Sequence, residues 1–284
     1  MATALHVCFR RLQCTRRHCR RLQLPVFYSC RHLYHSEETL RKEDVNNERY
    51  YQLYQSHIHT GPFQKTLLSV GAAVMALYNP YRHDMVAVLG ETTGWQALKN
   101  LREKMRNDPE GYKILQERPQ IRMSTLDIDH LRELPDGTFG REYLRFLDVN
   151  RVSPDTRMPV KFVDDEELAY VIQRYREIHD FMHTLLGMPT NMLGEVAVKW
   201  FEAVQTGLPM CILGAVFGSL RLDTRRLQLL SELVPWAVQC GRNAHCILNY
   251  FYEKRWELPL EVLREEIGIL PLPEVAIKSA RKQK

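Results

Sequence analysis

Between Asp164 and Gly187 the apolar residues recur with the period of an α-helix: Leu168, Val171, Ile172, Tyr175, Ile178, Met182 and Leu186. At about 100° per residue they form one stripe, with His179 at its centre and His183 near its edge. A helix patterned in this way has to be covered, and whatever covers it must also satisfy two imidazoles. The run Asp164-Asp165-Glu166-Glu167 sets acids where the helix dipole favours them, and Gly187 supplies a stop.

The same period governs most of the chain. Helices are predicted over 65–77, 93–105, 108–118, 127–134, 138–149, 165–186, 191–206, 209–219, 223–240, 244–256 and 259–267. Residues 150–162 hold two prolines and no period, and read as an ordered loop. Pro235 should kink or break its helix. No segment sustains period-two alternation and no repeat occurs, so the fold class is all-α, a single compact multi-helix domain with a helical hairpin suited to a metal. No apolar run reaches the ~18–20 residues that span a bilayer. The longest, 67–77 and 208–220, are expected in the core, the alternative being a helix in a membrane interface or beside a lipid. Gly71, Gly214 and Gly218 would admit a close neighbour there.

The net charge of +5 is unevenly spread. Residues 1–36 carry seven arginines and no acid, which leaves −2 for the rest. An Arg-rich, acid-free start interspersed with Leu, Val and Phe has the pattern of a mitochondrial transit peptide. Residues 37–60 read as a polar linker, 61–270 as the helical domain and 271–284 as a tail. The mildly acidic body argues against a nucleic-acid partner. Four of the seven cysteines lie in 1–36, and the others, Cys211, Cys240 and Cys246, have no ligand spacing and read as buried apolar groups.

The informative residues are histidines and acids. His183 lies four residues before Gly187, and Glu195 lies four residues after Asn191. In a tight helical hairpin both sit about one turn from the bend, at matching depth, with His179 one turn further down. Gly194 should let the second helix approach. His179, Asp180, His183 and Glu195 thus converge as a nitrogen and oxygen donor set for zinc, with iron(II) or manganese next. The plainer account is a pair of satisfied core histidines. Glu195 also falls roughly opposite the stripe formed by Leu193, Ala197, Trp200 and Val204 on its own helix. Arg145, Asp148, Asn150, Arg151, Asp155 and Arg157 cluster near the loop, and caps or loop hydrogen bonds account for them more simply than a carboxylate anchor. The aromatic stretch around Tyr250, Phe251, Tyr252 and Trp256 reads as core packing or a partner surface before it reads as an apolar tunnel or a membrane contact.

The pattern H-D-x-x-H, followed after eleven residues by E, resembles the family of mitochondrial coenzyme Q (ubiquinone) biosynthesis protein 4 homologs. So do the stretches ALYNPYRHDMVAVLGETTG from Ala76, REYLRFLDVNRVSPDTR from Arg141, FVDDEELAYVIQRYRE from Phe162, HTLLGMPTN from His183 and VKWFEAVQTGLPMCILGA from Val198. The likeness runs from about Phe63 to Ile269. It implies an all-α protein bound peripherally to the matrix face of the mitochondrial inner membrane, within a multi-protein coenzyme Q biosynthetic complex. It also implies zinc at His179, Asp180, His183 and Glu195. The implied reaction is removal of the C1 carboxyl of a 4-hydroxy-3-methoxy-5-polyprenylbenzoate, giving a 2-methoxy-6-polyprenylphenol. An oxidative version would place a hydroxyl on C1. Asp180 is the first candidate for proton delivery and Glu195 the second. A non-catalytic, lipid-binding scaffold with a structural metal is the alternative. A homo-oligomer is compatible with either, and a His-Asp phosphohydrolase ranks low because no phosphate loop is present.

Overall fold

This computed structural model describes residues 53–79 and 82–273, and among them eleven α-helices follow one another with no β-strand. They are α1 (Pro62–Tyr78), α2 (His83–Thr93), α3 (Trp95–Arg106), α4 (Pro109–Glu117), α5 (Ile128–Glu133), α6 (Phe139–Asn150), α7 (Glu166–Leu186), α8 (Met192–Thr206), α9 (Pro209–Ser219), α10 (Thr224–Asn243) and α11 (Leu260–Ile267). The all-α expectation holds. The 1–36 segment lies outside the described residues, as do most of the 37–60 stretch and nearly all of the tail.

The helix with the strongest period is also the most deeply placed. Asp165 caps α7 by accepting from the Leu168 amide, and Gly187 ends it at φ +62°. Every residue from Leu168 to Leu186 is buried, so α7 is covered all round and not only along its stripe. Leu98, Leu101 and Met105 of α3 and Phe139, Tyr143 and Leu147 of α6 supply apolar cover. Each such side chain contributes about 1.5–3 kcal/mol by leaving water. The charged groups of α7 are paired: Arg176 with Glu91 at 2.7 Å, Arg174 with Glu253, and Glu177 with the Ile121 amide at 3.0 Å. Glu91 also accepts from the Lys161 and Phe162 amides, which ties the incoming loop to α2. Residues 53–60 lie along that loop, with Ser56 Oγ donating to the Val160 carbonyl and His57 Nε2 2.9 Å from Asp164 Oδ1.

Four local expectations need correction. Helix α2 has no counterpart in the sequence reading; Gly90 lowers its intrinsic propensity, yet lets the Met210 thioether lie where a Cβ would be 2.2 Å away. The helix expected over 244–256 is instead two short 3₁₀ turns, Ile247–Asn249 and Tyr252–Lys254. There the Ile247 amide donates to Gln205 Oε1 and the Phe251 amide to Glu110 Oε1, so side chains of other helices replace the helical ladder. Helix α10 runs through Pro235 to Asn243, so of the kink or break expected there the break does not occur. The apolar runs are not plain core. On α1 only Ala72 is buried, and Phe63, Leu67, Val70, Val74 and Tyr78 form an exposed stripe. On α9 Ile212, Val216 and Phe217, and at its C-cap Leu220, are exposed as well. Arg221 donates to the Leu77 carbonyl, joining the far ends of these two helices.

The bend between α7 and α8 is tight because of Gly194, where an added Cβ would lie 2.0 Å from the Pro189 carbonyl oxygen. The glycine therefore accommodates its own turn, not a neighbouring helix as the sequence suggested. Gly194→Ala should destabilise the protein by about 1–3 kcal/mol and shift Glu195. A thermal melt and metal titration check this, and an unchanged melt with unchanged affinity would show that the bend has room.

Candidate metal centre

Helices α7 and α8 run antiparallel from the 187–191 bend, and Asn191 Oδ1 opens α8 by accepting from the Gly194 amide at 3.0 Å. A polar seam lies between them. From α7 come Tyr175, His179 and His183 at four-residue spacing, and from α8 come Glu202, Lys199 and Glu195 in the opposite order. Nearest the bend, His183 Nε2 lies 3.3 Å from Glu195 Oε1, and His179 Nε2 lies 3.5 Å from Glu195 Oε2. One turn deeper, His179 Nδ1 donates to Glu202 Oε1 at 2.6 Å, while Lys199 Nζ and Tyr175 Oη donate to Glu202 Oε2 at 2.6 and 2.7 Å.

Each imidazole is oriented through its inner nitrogen. His183 Nδ1 donates to the Met188 carbonyl at 3.1 Å, and Phe146 stacks on the ring with centroids 5.6 Å apart. His179 Nδ1 is held by Glu202. Both Nε2 lone pairs therefore turn toward Glu195, the arrangement found when a carboxylate or carbonyl orients a metal-ligating histidine. His183 Nε2 is shielded from solvent and makes no well-formed hydrogen bond. Ligand atoms of His179, His183 and Glu195 all lie within 4.8 Å of one another. An orphaned buried nitrogen beside a second imidazole and a carboxylate is a donor set that suits a divalent ion of zinc type. The structure brings together three of the four residues expected from the sequence. The fourth, Asp180, stands outside that triad and accepts from Arg157 Nη2 at 2.5 Å.

Burial opposes charge on His179, but Glu202 outweighs it and lifts the imidazole pKa above the ordinary value. Burial likewise opposes the Glu195 carboxylate, yet the two histidines hold it well below the usual range. Lys199 loses hydration and is nonetheless kept cationic by Glu202. Burial, aided by Glu202, pushes the Cys211 thiol up to about 11, so it is a neutral neighbour of Tyr175 at 3.0 Å and no nucleophile.

Glu202, Lys199, Tyr175 and Arg157 are the functional-site residues that the sequence reading missed or set aside. Glu202 is two turns from Glu195 on the same face, so the i, i+7 spacing from Glu195 is the signal that marks it, while the apolar stripe of α8 lies on the other side. That stripe serves α9 and α10, which sandwich α8. Of the loop cluster, Asp155 accepts from the Met123 amide, Asn150 bridges the Phe146 carbonyl and Thr190, and Arg145 pairs with Glu142, as caps and loop bonds should. Only Arg157 reaches the seam. The 250–256 aromatics pack with Phe139 and Phe181 in the core.

Because a ligating imidazole must be deprotonated, the raised His179 pKa means that an incoming ion competes with a proton at higher pH than at a free histidine. Zinc affinity should fall by up to about tenfold per unit as pH drops from about 8 to 6. Calorimetric titrations at several pH values check this, and a flat profile would contradict it. Glu202→Gln/Lys199→Gln, which removes both buried charges together, should weaken metal binding by about 10–100-fold. Chelator competition reads that loss; unchanged affinity would deny Glu202 an orienting part.

With the fold and site described, comparisons with known proteins add the following. Residues 54–273 match the family model for coenzyme Q (ubiquinone) biosynthesis protein Coq4. The chain is 72% identical over 239 residues to the mitochondrial ubiquinone biosynthesis protein COQ4 homolog of Xenopus tropicalis, covering 84% of this chain and 85% of that one. It is 71% identical over 222 residues to the human homolog of the same description, covering 78% and 84%. A crystal structure from Nostoc punctiforme, provisionally assigned to ubiquinone biosynthesis, superposes with a TM-score of 0.59 at 20% identity. It covers 72% of this chain and 99% of that one, a likeness of fold.

Proposed function

This chain belongs to the Coq4 family of coenzyme Q (ubiquinone) biosynthesis proteins, and from that premise we propose that it acts in ubiquinone biosynthesis as a metal-dependent decarboxylase. The substrate in this reading is a 4-hydroxy-3-methoxy-5-polyprenylbenzoate and the product a 2-methoxy-6-polyprenylphenol. The observation that carries the reading is the unpartnered, buried Nε2 of His183 beside His179 and Glu195.

His179, His183 and Glu195 would hold the ion, zinc first and iron(II) or manganese next. When bound, such an ion supplies Lewis acidity toward the oxygens of the aromatic acid. The residues of the chain do the rest. Glu202 and the Met188 carbonyl keep the two Nδ1–H groups turned inward. In the reaction the aryl–carboxyl bond breaks, its electron pair remains on C1 and takes a proton, and carbon dioxide leaves; the para phenol feeds electrons toward C1. Asp180, next to His179 and paired as a carboxylate with Arg157, is assigned the proton delivery, taking up a proton from solvent and passing it to C1, with Glu195 second. An oxidative form ending in a hydroxyl on C1 would need a redox-active ion and dioxygen.

A peripheral position on the matrix side of the mitochondrial inner membrane belongs to the same reading. No helix among the described residues is long and apolar enough to cross a membrane. The exposed stripes of α1 and α9 are apolar, and Arg221, Arg225 and Arg226 are exposed beside their joined ends. Apolar insertion flanked by basic groups suits an anionic bilayer surface. The same surface favours a second reading, a lipid-binding scaffold for the other coenzyme Q biosynthesis proteins with the metal holding the hairpin.

Release of labelled carbon dioxide from the carboxyl-labelled prenylated benzoate separates the two. The metal-loaded protein should release it, and His183→Ala should abolish release while leaving fold and partners intact. No turnover with any of the three metals, together with loss of complex assembly in His183→Ala, would establish the scaffold instead. On liposomes containing anionic lipid, Leu67→Ser/Val70→Ser/Val74→Ser should weaken flotation at least about tenfold, since each apolar side chain contributes about 1.5 kcal/mol or more. Undiminished flotation would exclude α1 from the membrane contact.

A further inference from the structure

Arg157 sits within the 150–162 loop, just after its Pro154–Thr156 turn, and spends one of its five N–H groups on Asp180. Its Nε is shielded from solvent and has no acceptor. A buried donor left without an acceptor is unfavourable; Arg102, Arg174 and Arg176 carry such groups too, but Arg157 alone among these four is paired with Asp180, the neighbour of His179, where an oxygen can arrive from outside. Charge makes the same point. The fixed cations of the centre are Arg157 and Lys199, and its acids are Asp180, Glu195 and Glu202. With a divalent ion on the triad, which requires neutral imidazoles, the cluster carries one net positive charge. A partly buried positive centre with a free guanidinium edge is complementary to a single-charged anion. His83, at the start of α2, completes the rim: burial and Arg157 lower its pKa, with Glu195, His179 and Lys199 also in range, so it adds no further positive charge near neutral pH.

We propose that Arg157 is the carboxylate receptor of the centre, donating its Nε–H to one carboxylate oxygen of an aromatic acid while Asp180 holds the guanidinium in position. Arg157 is thus a specificity-determining residue, and the acid is discriminated from its decarboxylated product by this contact. Lysine at this position would keep the pairing with Asp180 but lack the planar edge that meets a carboxylate. The inference rests on the reading of the site as one that takes a benzoate.

Equilibrium binding to the zinc-loaded full chain tests it without turnover. The probes are a short-tailed 4-hydroxy-3-methoxy-5-prenylbenzoate and the matching 2-methoxy-6-prenylphenol, and zinc content is measured in every sample. The wild-type protein should prefer the acid. Arg157→Gln should weaken acid binding by about 10–100-fold, the size expected of a charged hydrogen bond, and leave phenol binding and zinc content unchanged. Arg157→Lys, the milder change if the glutamine variant folds poorly, should lose part of the preference. Acid binding that survives either substitution undiminished would overturn the proposal. So would loss of zinc from the variants, which would make Arg157 a support of the metal site, or a wild-type protein that binds both probes equally. If the acid preference behaves as expected while no carbon dioxide is released, the decarboxylase reading fails and the receptor stands.

Discussion

The contact on which the centre depends is Glu202 with His179. A carboxylate with no solvent exposure is tolerable only when its oxygens are fully engaged, and Glu202 takes donors from His179, Lys199 and Tyr175. Those donors come from both helices of the hairpin, so the bond fixes which faces of α7 and α8 meet as well as which nitrogen of His179 is free. Removing any one partner would strand charge in the core. The surrounding apolar helices supply the stability, and this polar seam supplies the register.

The seam also explains an arrangement that would otherwise be wasteful. Helix α7 is buried on every side and yet carries Arg174, Arg176, Glu177, His179, Asp180 and His183. The first three are answered by Glu253, Glu91 and Ile121 from elements around it. The last three face α8 and the loop, where His183 Nε2 and Arg157 Nε are left without a well-formed partner. Other groups of α7, Gln173 Oε1, Arg174 Nε and Arg176 Nη1, are also without partners, but these two lie where chemistry is proposed. The exposed apolar stripes of α1 and α9 lie on other helices, apart from the seam.

Much of this was legible in the sequence. The period of α7, its Gly187 stop, the Asn191 cap and the matching depth of His183 and Glu195 follow from local rules that tertiary context did not override. Three things were not legible, each for a physical reason. Helix α2 forms although glycine and β-branched residues weaken it, because Glu91 and Gly90 are needed against Arg176 and Met210. Residues 244–256 abandon the helix because side chains of Gln205 and Glu110 satisfy their amides. Lys199 and Glu202 were hidden because α8 is packed on two apolar sides and has its polar residues on the third. Hydrophobic periodicity finds where a helix is covered; it does not reveal which covered face is polar.

The central claim is that His179, His183 and Glu195 bind one divalent ion through nitrogen and oxygen. X-ray absorption of the stoichiometric zinc complex tests it most directly. The account predicts a first shell of nitrogen and oxygen at about 2.0–2.1 Å with the outer-shell scattering of two imidazoles, and loss of one imidazole in His183→Ala. A sulfur shell near 2.3 Å, or a spectrum unchanged by His183→Ala, would contradict it.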